Sequence, residues 1–195
     1  MLTDIEERAS AGMQVGRPDW QGAAVPWSCP WFRIETLGTW NRVVPAVSGG
    51  PSGAVIVPFL GDDPRDREVR FLLVEQYRRP VCRSMIEFPR GGIEENESDL
   101  ACAARETAEE TGCLVHGIRA LGTVHPDSGL LSSELSIVLC AVTRPDGSGP
   151  LDSDEIDRVY ALTRRQIREA VTTGRITDSL TLSALALLEL HYPER

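Results

Sequence analysis

The 195-residue sequence contains no lysine: all 20 of its basic residues are arginine, set against 29 acids, for a formal charge of −9 at neutral pH. That balance argues against nonspecific binding to nucleic acid or to an anionic membrane surface, both of which call for a basic face. It leaves a nucleotide substrate open, because a bound metal ion can supply local positive charge. Cysteine is scarce and unpatterned. The five thiols, at 29, 82, 102, 113 and 140, are odd in number and lack any CxxC spacing, so they read as reduced, mostly buried thiols of a cytoplasmic protein. The three histidines, His116, His125 and His191, do not form a ligand set. No apolar run approaches membrane-spanning length, and the opening MLTDIEERAS is acidic with no apolar core behind it, so no signal peptide is expected. There is no internal repeat and no low-complexity segment. One well-buried domain with a small appendage is the expectation for this length.

What the chain does contain is a dense acidic stretch, GGIEENESDLACAARETAEETGC, from Gly91 to Cys113, with six Glu and one Asp. On a helix, residues three and four apart share a face, so Glu106, Glu109 and Glu110 converge, with Asp99, Cys102 and Cys113 on the same side. Leu100, Ala104, Thr107, Ala108 and Thr111 fall opposite and are expected to form the packing face. An acidic run is by default a solvated face, and like charges at this spacing repel. Hard divalent cations, however, want several oxygen ligands, and Mg²⁺ is usually held by a few carboxylates plus substrate phosphates. Arg105 stands beside the cluster, able to hold a glutamate by a bidentate bond, and Gly112 is a candidate left-handed C-cap.

Along the chain, residues 1–25 are polar and expected to be loosely ordered. Two short strands are expected near 31–37 and 41–47, hinged at Gly38 and carrying Trp31 and Trp40, with Trp27 just before them. Further strands are expected over 54–60, 69–77, 113–124, 134–143 and in the run IDRVYAL, and helices near 163–172 and 178–191. RRPVCR reads as a loop, and MIEFPRGG as the lead into the acidic helix. Strands with helices between and after them make a mixed α/β (α+β) pattern.

Gly91, Glu97, Arg105, Glu106, Glu109, Glu110 and Gly112 reproduce the Nudix box, Gly-x5-Glu-x7-Arg-Glu-U-x-Glu-Glu-x-Gly-U, with Thr107 and Cys113 at the two bulky aliphatic (U) positions. Seven fixed positions at ordinary residue usage recur by chance about once in 10⁸–10⁹ windows. The resemblance continues through VEQYRRPV, EFPRGG, HPDSGLLSSE and GRITDSLT, which together look like the ADP-ribose pyrophosphatase branch of the Nudix hydrolases. Two features depart from that branch: Arg90 stands where alanine is usual, and the proline loop at Pro126 reads HPDSGLL. The resemblance implies an α/β/α sandwich with a mixed sheet, a small N-terminal strand region over 1–50 that serves dimerisation, and a Nudix domain over 51–195.

It also implies Mg²⁺-dependent hydrolysis, with Mn²⁺ as the alternative ion, of a nucleoside diphosphate linked to another moiety. ADP-ribose, giving AMP and ribose 5-phosphate, stands first, and another nucleotide sugar next. A noncatalytic nucleotide-sugar sensor and a dNTP or 8-oxo-dGTP housecleaning pyrophosphatase are the competing readings. By the family match, Glu106 and Glu110 hold the metal with Glu109 contributing and the backbone carbonyl of Arg90 as a further ligand. Arg105 orients the glutamates and Glu97 supports it, while Gly91 and Gly92 let backbone approach phosphate. The general base is an acid of the loop before the last strand, among Asp152, Asp154 and Glu155, or else Glu109 or Glu110 itself. Arg78, Arg79, Glu87, Arg90, Pro126 and Glu134 are the candidate substrate contacts, and each has a plain structural alternative. A small-molecule substrate, no nucleic acid, no membrane, a cytoplasmic setting and a homodimer complete the expectation.

Overall fold

The computed structural model describes residues 20–46, 50–145 and 155–195. Three strands, β1 (Ala24–Ser28), β2 (Phe32–Leu37) and β3 (Trp40–Pro45), form a small antiparallel sheet in that order. Gly38 turns the β2–β3 hairpin at a φ of +60°, the sign that a tight two-residue turn demands at its first position. β1 begins at the end of the segment expected to be loosely ordered and precedes the two expected strands; its side chains are all exposed, so it carries no buried pattern to read. Glu35 ties the small sheet together. It is 7% exposed and accepts from Arg33 Nε at 2.7 Å and from Arg42 Nε and Nη2 at 2.8 and 2.6 Å. Arg42 in turn stacks on Trp20, 4.2 Å from the ring centre.

The second sheet has seven strands: β4 (Gly53–Leu60), β5 (Arg70–Arg78), β6 (Arg83–Glu87), β7 (Arg90–Gly92), β8 (Leu114–Val124), β9 (Leu135–Thr143) and β10 (Ile156–Leu162). Its spine runs β10-β5-β4-β9-β8, with β4 and β9 parallel and the remaining pairs antiparallel. β4 and β5 touch only at Phe59–Phe71 and Leu60–Arg70 and then diverge. The gap between them is filled by β6, which bonds to β5, and β7, which bonds to β4. RRPVCR and MIEFPRGG thus contain a short 3-10 turn (Arg79–Val81) and two strands rather than a loop and a plain lead-in. Neither strand is long enough to announce itself; both exist because the diverging edges need hydrogen-bond partners.

Helices cover both faces. α1 (Asp99–Thr111) packs on one face against Ala54, Ile56, Leu72, Val138 and Cys140. α2 (Arg164–Thr172) and α3 (Ser179–His191) lie over the other, where Val55, Val57, Phe71, Phe88, Ile137, Ile167, Ile176 and Leu188 form the larger core. β4 feeds both cores by alternation, which explains its unbroken apolar sequence. The result is an α/β/α sandwich on a mixed sheet, as expected.

α1 differs from expectation in which face it buries. Ser98 caps it by accepting from the Ala101 amide, and Gly112 closes it at a φ of +68°. Leu100 and Ala108, expected to pack, are exposed. The buried stripe is Cys102, Ala103, Thr107, Glu110 and Thr111. Thr107 and Thr111 enter the core because their hydroxyls donate to the carbonyls of Ala103 and Thr107 within the helix, leaving only methyl groups to pack. Small side chains bring the helix close to the sheet, and Glu110, seven residues after Ala103, is carried inward with them.

The small sheet meets the rest through one loop: the Val43 amide donates to Leu130 O at 2.9 Å and the Ser132 amide to Val43 O at 3.0 Å. The two arginines hold the Glu35 carboxyl below its ordinary value of 4.5. A lowered carboxyl contributes stability above its unfolded value and loses it as pH falls through the folded one. Glu35→Gln is therefore expected to unfold this sheet about 1 kcal/mol more easily at pH 7, a difference lost as pH falls through the lowered Glu35 value. Denaturant unfolding followed by tryptophan fluorescence over an acid pH series checks this.

Candidate active site

The gap between β4 and β5 opens beneath the C-terminal half of α1, and four groups of polar residues gather around it. The first is centred on Arg105. Its guanidinium grips Glu97 bidentately, Nε to Oε1 and Nη2 to Oε2, both at 2.9 Å. The same fork donates to Glu106 Oε1 at 2.6 Å, Glu109 Oε2 at 3.1 Å and the Gly92 carbonyl at 2.9 Å. Glu97 is lowered chiefly by its bonds to Arg105. Glu106 is raised: burial outweighs the help from Arg105.

Glu110 is different. Among the described residues its one hydrogen-bond partner is the Arg90 backbone amide, 3.3 Å from Oε2, and it forms no ion pair. Burial first, and the neighbouring Glu106 charge second, push its carboxyl up to about 8. Glu109, by contrast, is 55% exposed along its side chain. The two glycines before the helix do not act alike. A Cβ on Gly91 would sit on the Glu106 carboxylate, whereas one on Gly92 would meet nothing nearer than Ser52 O at 3.9 Å. Gly91 thus makes room for a carboxylate of the helix. Cys102, beside them, points its thiol at the Gly92 carbonyl, 3.4 Å away, and burial keeps it protonated, with a pKa pushed up to about 12.

The second group is a row of alternating charges. Arg78 Nε donates to Glu87 Oε1 at 2.5 Å, Arg90 Nη2 lies 2.9 Å from Glu87 Oε2, and Arg90 Nη1 lies 3.3 Å from Asp178 Oδ1. Glu87 is fully buried, and burial raises its carboxyl despite both arginines. The third group lines a cavity of about 510 Å³ where β5 ends and β10 begins: Gln76, Tyr77, Arg78, Arg79, Pro80, Glu155 and Asp157. That volume lies within the range of small-molecule sites. Asp152 and Asp154 lie outside the described residues.

The fourth group sits across β4. The Ser52 amide donates to the Glu134 carbonyl at 2.8 Å, while Ser52 O accepts from Ile93 at 3.2 Å, so Glu134 stands one strand over from Gly92. His125 lies with Nδ1 3.0 Å from Ser133 O and Nε2 3.9 Å from Glu134, and Pro126 follows it, half-buried. Among the described residues, no three His, Cys, Asp or Glu side chains form a ready-made metal cage.

The sequence matches the NUDIX domain family across residues 51–179, well over half of the chain. The chain belongs to the Nudix family. By sequence it is a Nudix pyrophosphohydrolase. Among its relatives are the ADP-ribose pyrophosphatase of Escherichia coli (strain K12), 32% identical over 147 residues that make up 71% of this chain and 68% of that one. The methanol dehydrogenase activator of Bacillus methanolicus is 29% identical over 124 residues, 63% of this chain and 67% of the relative. A solved ADP compounds hydrolase superposes with a TM-score of 0.65 over 87% of this chain and 91% of its own, at 15% identity, a likeness of fold.

Within this Nudix fold, Arg78, Glu87, Arg90 and the box glutamates converge on one gap, Arg79 and Glu155 line the adjoining cavity, and Pro126 and Glu134 flank the far side of β4. Two polar contributors were not singled out from sequence, Ser52 and Asp157, while Asp178 belongs to the GRITDSLT run that carries the branch resemblance and only its partner went unread. Asp157 could have been found as the last acid of the run DSDEID. Asp178 lies 88 residues from Arg90, and nothing local signals the pairing. The glycine geometry yields a paired test. Gly91→Ala is expected to fold but to dislodge Glu106 and cut nucleotide hydrolysis about a hundredfold. Gly92→Ala, with open space at its Cβ, is expected to stay within a few fold of the parent in the same steady-state assay.

Proposed function

We propose that this Nudix protein hydrolyses the pyrophosphate bond of a nucleoside diphosphate linked to a sugar, ADP-ribose first, to AMP and ribose 5-phosphate, with Mg²⁺ as the preferred ion. The observation that carries the reading is the Glu106–Glu110 pair: two neighbouring carboxylates, both raised by burial, one of them with no cation. Such a donor set fits a hard divalent ion. Two carboxylates fall short of a full cage, and Mg²⁺ in particular takes one or two carboxylates and completes its shell with water and substrate phosphates. Glu106 and Glu110 are the proposed principal ligands, with Glu109 and the Arg90 carbonyl contributing. When bound, the ion neutralises phosphate charge and lowers the pKa of water.

The chain's own residues do the rest. Arg105 holds Glu106 and Glu109 in place, and Glu97 fixes Arg105 by two parallel bonds. The Arg90 amide orients Glu110. Arg78 and Arg79 lie where they can meet phosphate or ribose, with Glu87 behind Arg78, and Pro126 and Glu134 bound the opposite side. The general base is assigned to the acids before β10. Glu155 is the described member, lining the cavity beside Arg79, and Asp154 precedes it in sequence. The base removes a proton from water as its oxygen attacks phosphorus, and the bridging P–O bond breaks. Similarity to the E. coli ADP-ribose pyrophosphatase supports the substrate class.

We also propose a cytoplasmic homodimer formed through an N-terminal region over 1–50, with the Nudix domain over 51–195. All five cysteines are free thiols, in keeping with a reducing compartment. Trp31 and Trp40 are 76% and 65% exposed on a sheet too small to bury them alone. Light scattering at micromolar concentration is expected to give twice the chain mass; a monomer mass overturns the dimer. For the chemistry, Glu110→Gln is expected to lose turnover by a hundredfold or more, about 3 kcal/mol or above, while melting as the parent does. The assay is a panel of ADP-ribose, other nucleotide sugars, NADH, dinucleoside polyphosphates and dNTPs, read by phosphatase-coupled phosphate release. Full activity in the Glu110→Gln variant would refute the ligand assignment.

A further inference from the structure

Asp178 stands immediately before α3, and its two oxygens have different partners. Oδ2 accepts from both the amide and the hydroxyl of Thr181, each at 2.8 Å. That is an N-cap, and one oxygen is enough for it; Asn or Ser would cap about as well. Oδ1 is 3.3 Å from Arg90 Nη1. The second oxygen of Asp178 is therefore free of the cap and available to another partner.

What Asp178 holds is the link between β6 and β7. The Phe88 amide donates to Thr181 Oγ1 at 3.0 Å, and that hydroxyl donates on to Asp178 Oδ2. Asp178 Oδ1 then returns to Arg90. The contacts close a ring, Phe88–Thr181–Asp178–Arg90, with Asp178 at the junction. Inside the ring lies the backbone whose Arg90 amide donates to Glu110. The charges also balance. Arg78 and Arg90 face Glu87 and Asp178, two cations against two carboxylates, with Glu87 fully buried and Asp178 12% exposed along its side chain. Arg90 could reach a substrate only by leaving two carboxylates, one of them buried and dependent on it.

We propose that Asp178 is a positioning residue, which through Arg90 and Thr181 fixes the 88–90 backbone against Glu110, and that the Arg90 charge is used in this tie rather than on substrate. The proposal rests on the catalytic reading of Glu110 given above. It assigns a function to the arginine that departs from the branch pattern: Arg90 locks α3 to the strand that precedes the Nudix box.

The test compares Asp178→Asn, Asp178→Ser, Arg90→Ala and the Arg90→Ala/Asp178→Asn double variant in the full chain. Both Asp178 variants keep a helix cap, so their melting temperatures are expected to stay within a few degrees of the parent. In metal-free protein, the Phe88 and Arg90 amides are expected to exchange hydrogen about tenfold faster in Asp178→Asn, with β9 unchanged. With ADP-ribose and Mg²⁺, kcat is expected to fall about ten- to a hundredfold while KM stays within about twofold. The double variant is expected to be no worse than Arg90→Ala alone, because both act on one tie. Unchanged exchange at Phe88 and Arg90 in Asp178→Asn overturns the proposal. So does a raised KM with intact kcat in Arg90→Ala, which would place that guanidinium on the substrate. Glu110→Gln assayed alongside separates the two failures: activity there sinks the catalytic reading, while the exchange result still decides whether Asp178 holds the backbone.

Discussion

Burying a carboxylate without a cation is among the less favourable things a small domain can do, and this one does it at Glu110. The fold tolerates it because the rest of α1 is well anchored. Ser98 and Gly112 cap the helix, Ser136 Oγ donates to Asp99 Oδ2 at 2.7 Å, and Cys102, Ala103 and Thr107 pack without gaps against β4 and β9. The helix cannot rotate to expose Glu110 without pulling that small-residue face off the sheet. A buried acid is thereby built into the packing, and the raised proton affinity of Glu110 is the same fact expressed in another way.

The strand divergence completes the arrangement. Had β4 and β5 stayed paired along their full length, the sheet would have closed beneath α1. Instead β6 and β7 occupy the gap, and they bring Glu87 and Arg90 to the buried end of the helix. Residues 53–55 of β4 pair with β7 and residues 74–78 of β5 with β6, in place of bonds to one another. The cleft is thus a consequence of sheet topology, and the side chains on β6 and β7 are placed by hydrogen bonding that has nothing to do with their chemistry.

Legibility in the sequence followed the range of the interaction. β4, β5 and β9 were readable because buried strands leave apolar runs, and the Arg105–glutamate cluster was readable because its members lie within one short segment. β1, β6 and β7 were not: all three are short, β1 has no buried side chain to make a pattern, and β7 exists through pairing with the distant β4. The buried face of α1 was only partly legible. Thr107 and Thr111 pack as the wheel places them, whereas Leu100 and Ala108 are exposed and Cys102 and Glu110 are buried, because the position of the sheet decides which edge of the stripe is covered. The role of Gly91 was read as access for phosphate, whereas the space it leaves is filled by Glu106.

The absence of lysine also takes on structural meaning at particular sites. Arg105 bonds two oxygens of Glu97, one each of Glu106 and Glu109, and the Gly92 carbonyl, using a planar fork of five donors. A lysine ammonium offers three donors from a single point and could not span those partners. The same geometry recurs where Arg42 and Arg33 close on Glu35, and where the buried Arg164 donates to Pro64 O, Tyr192 O and Glu189 beneath α3. Arg164 joins elements far apart in sequence, Arg105 gathers like charges that would otherwise repel, and at Glu35 two guanidinia converge on one carboxylate. The acidic chain concentrates carboxylates on α1 around the multidentate Arg105, and Glu110, which that fork does not reach, is the member whose proton affinity rises furthest.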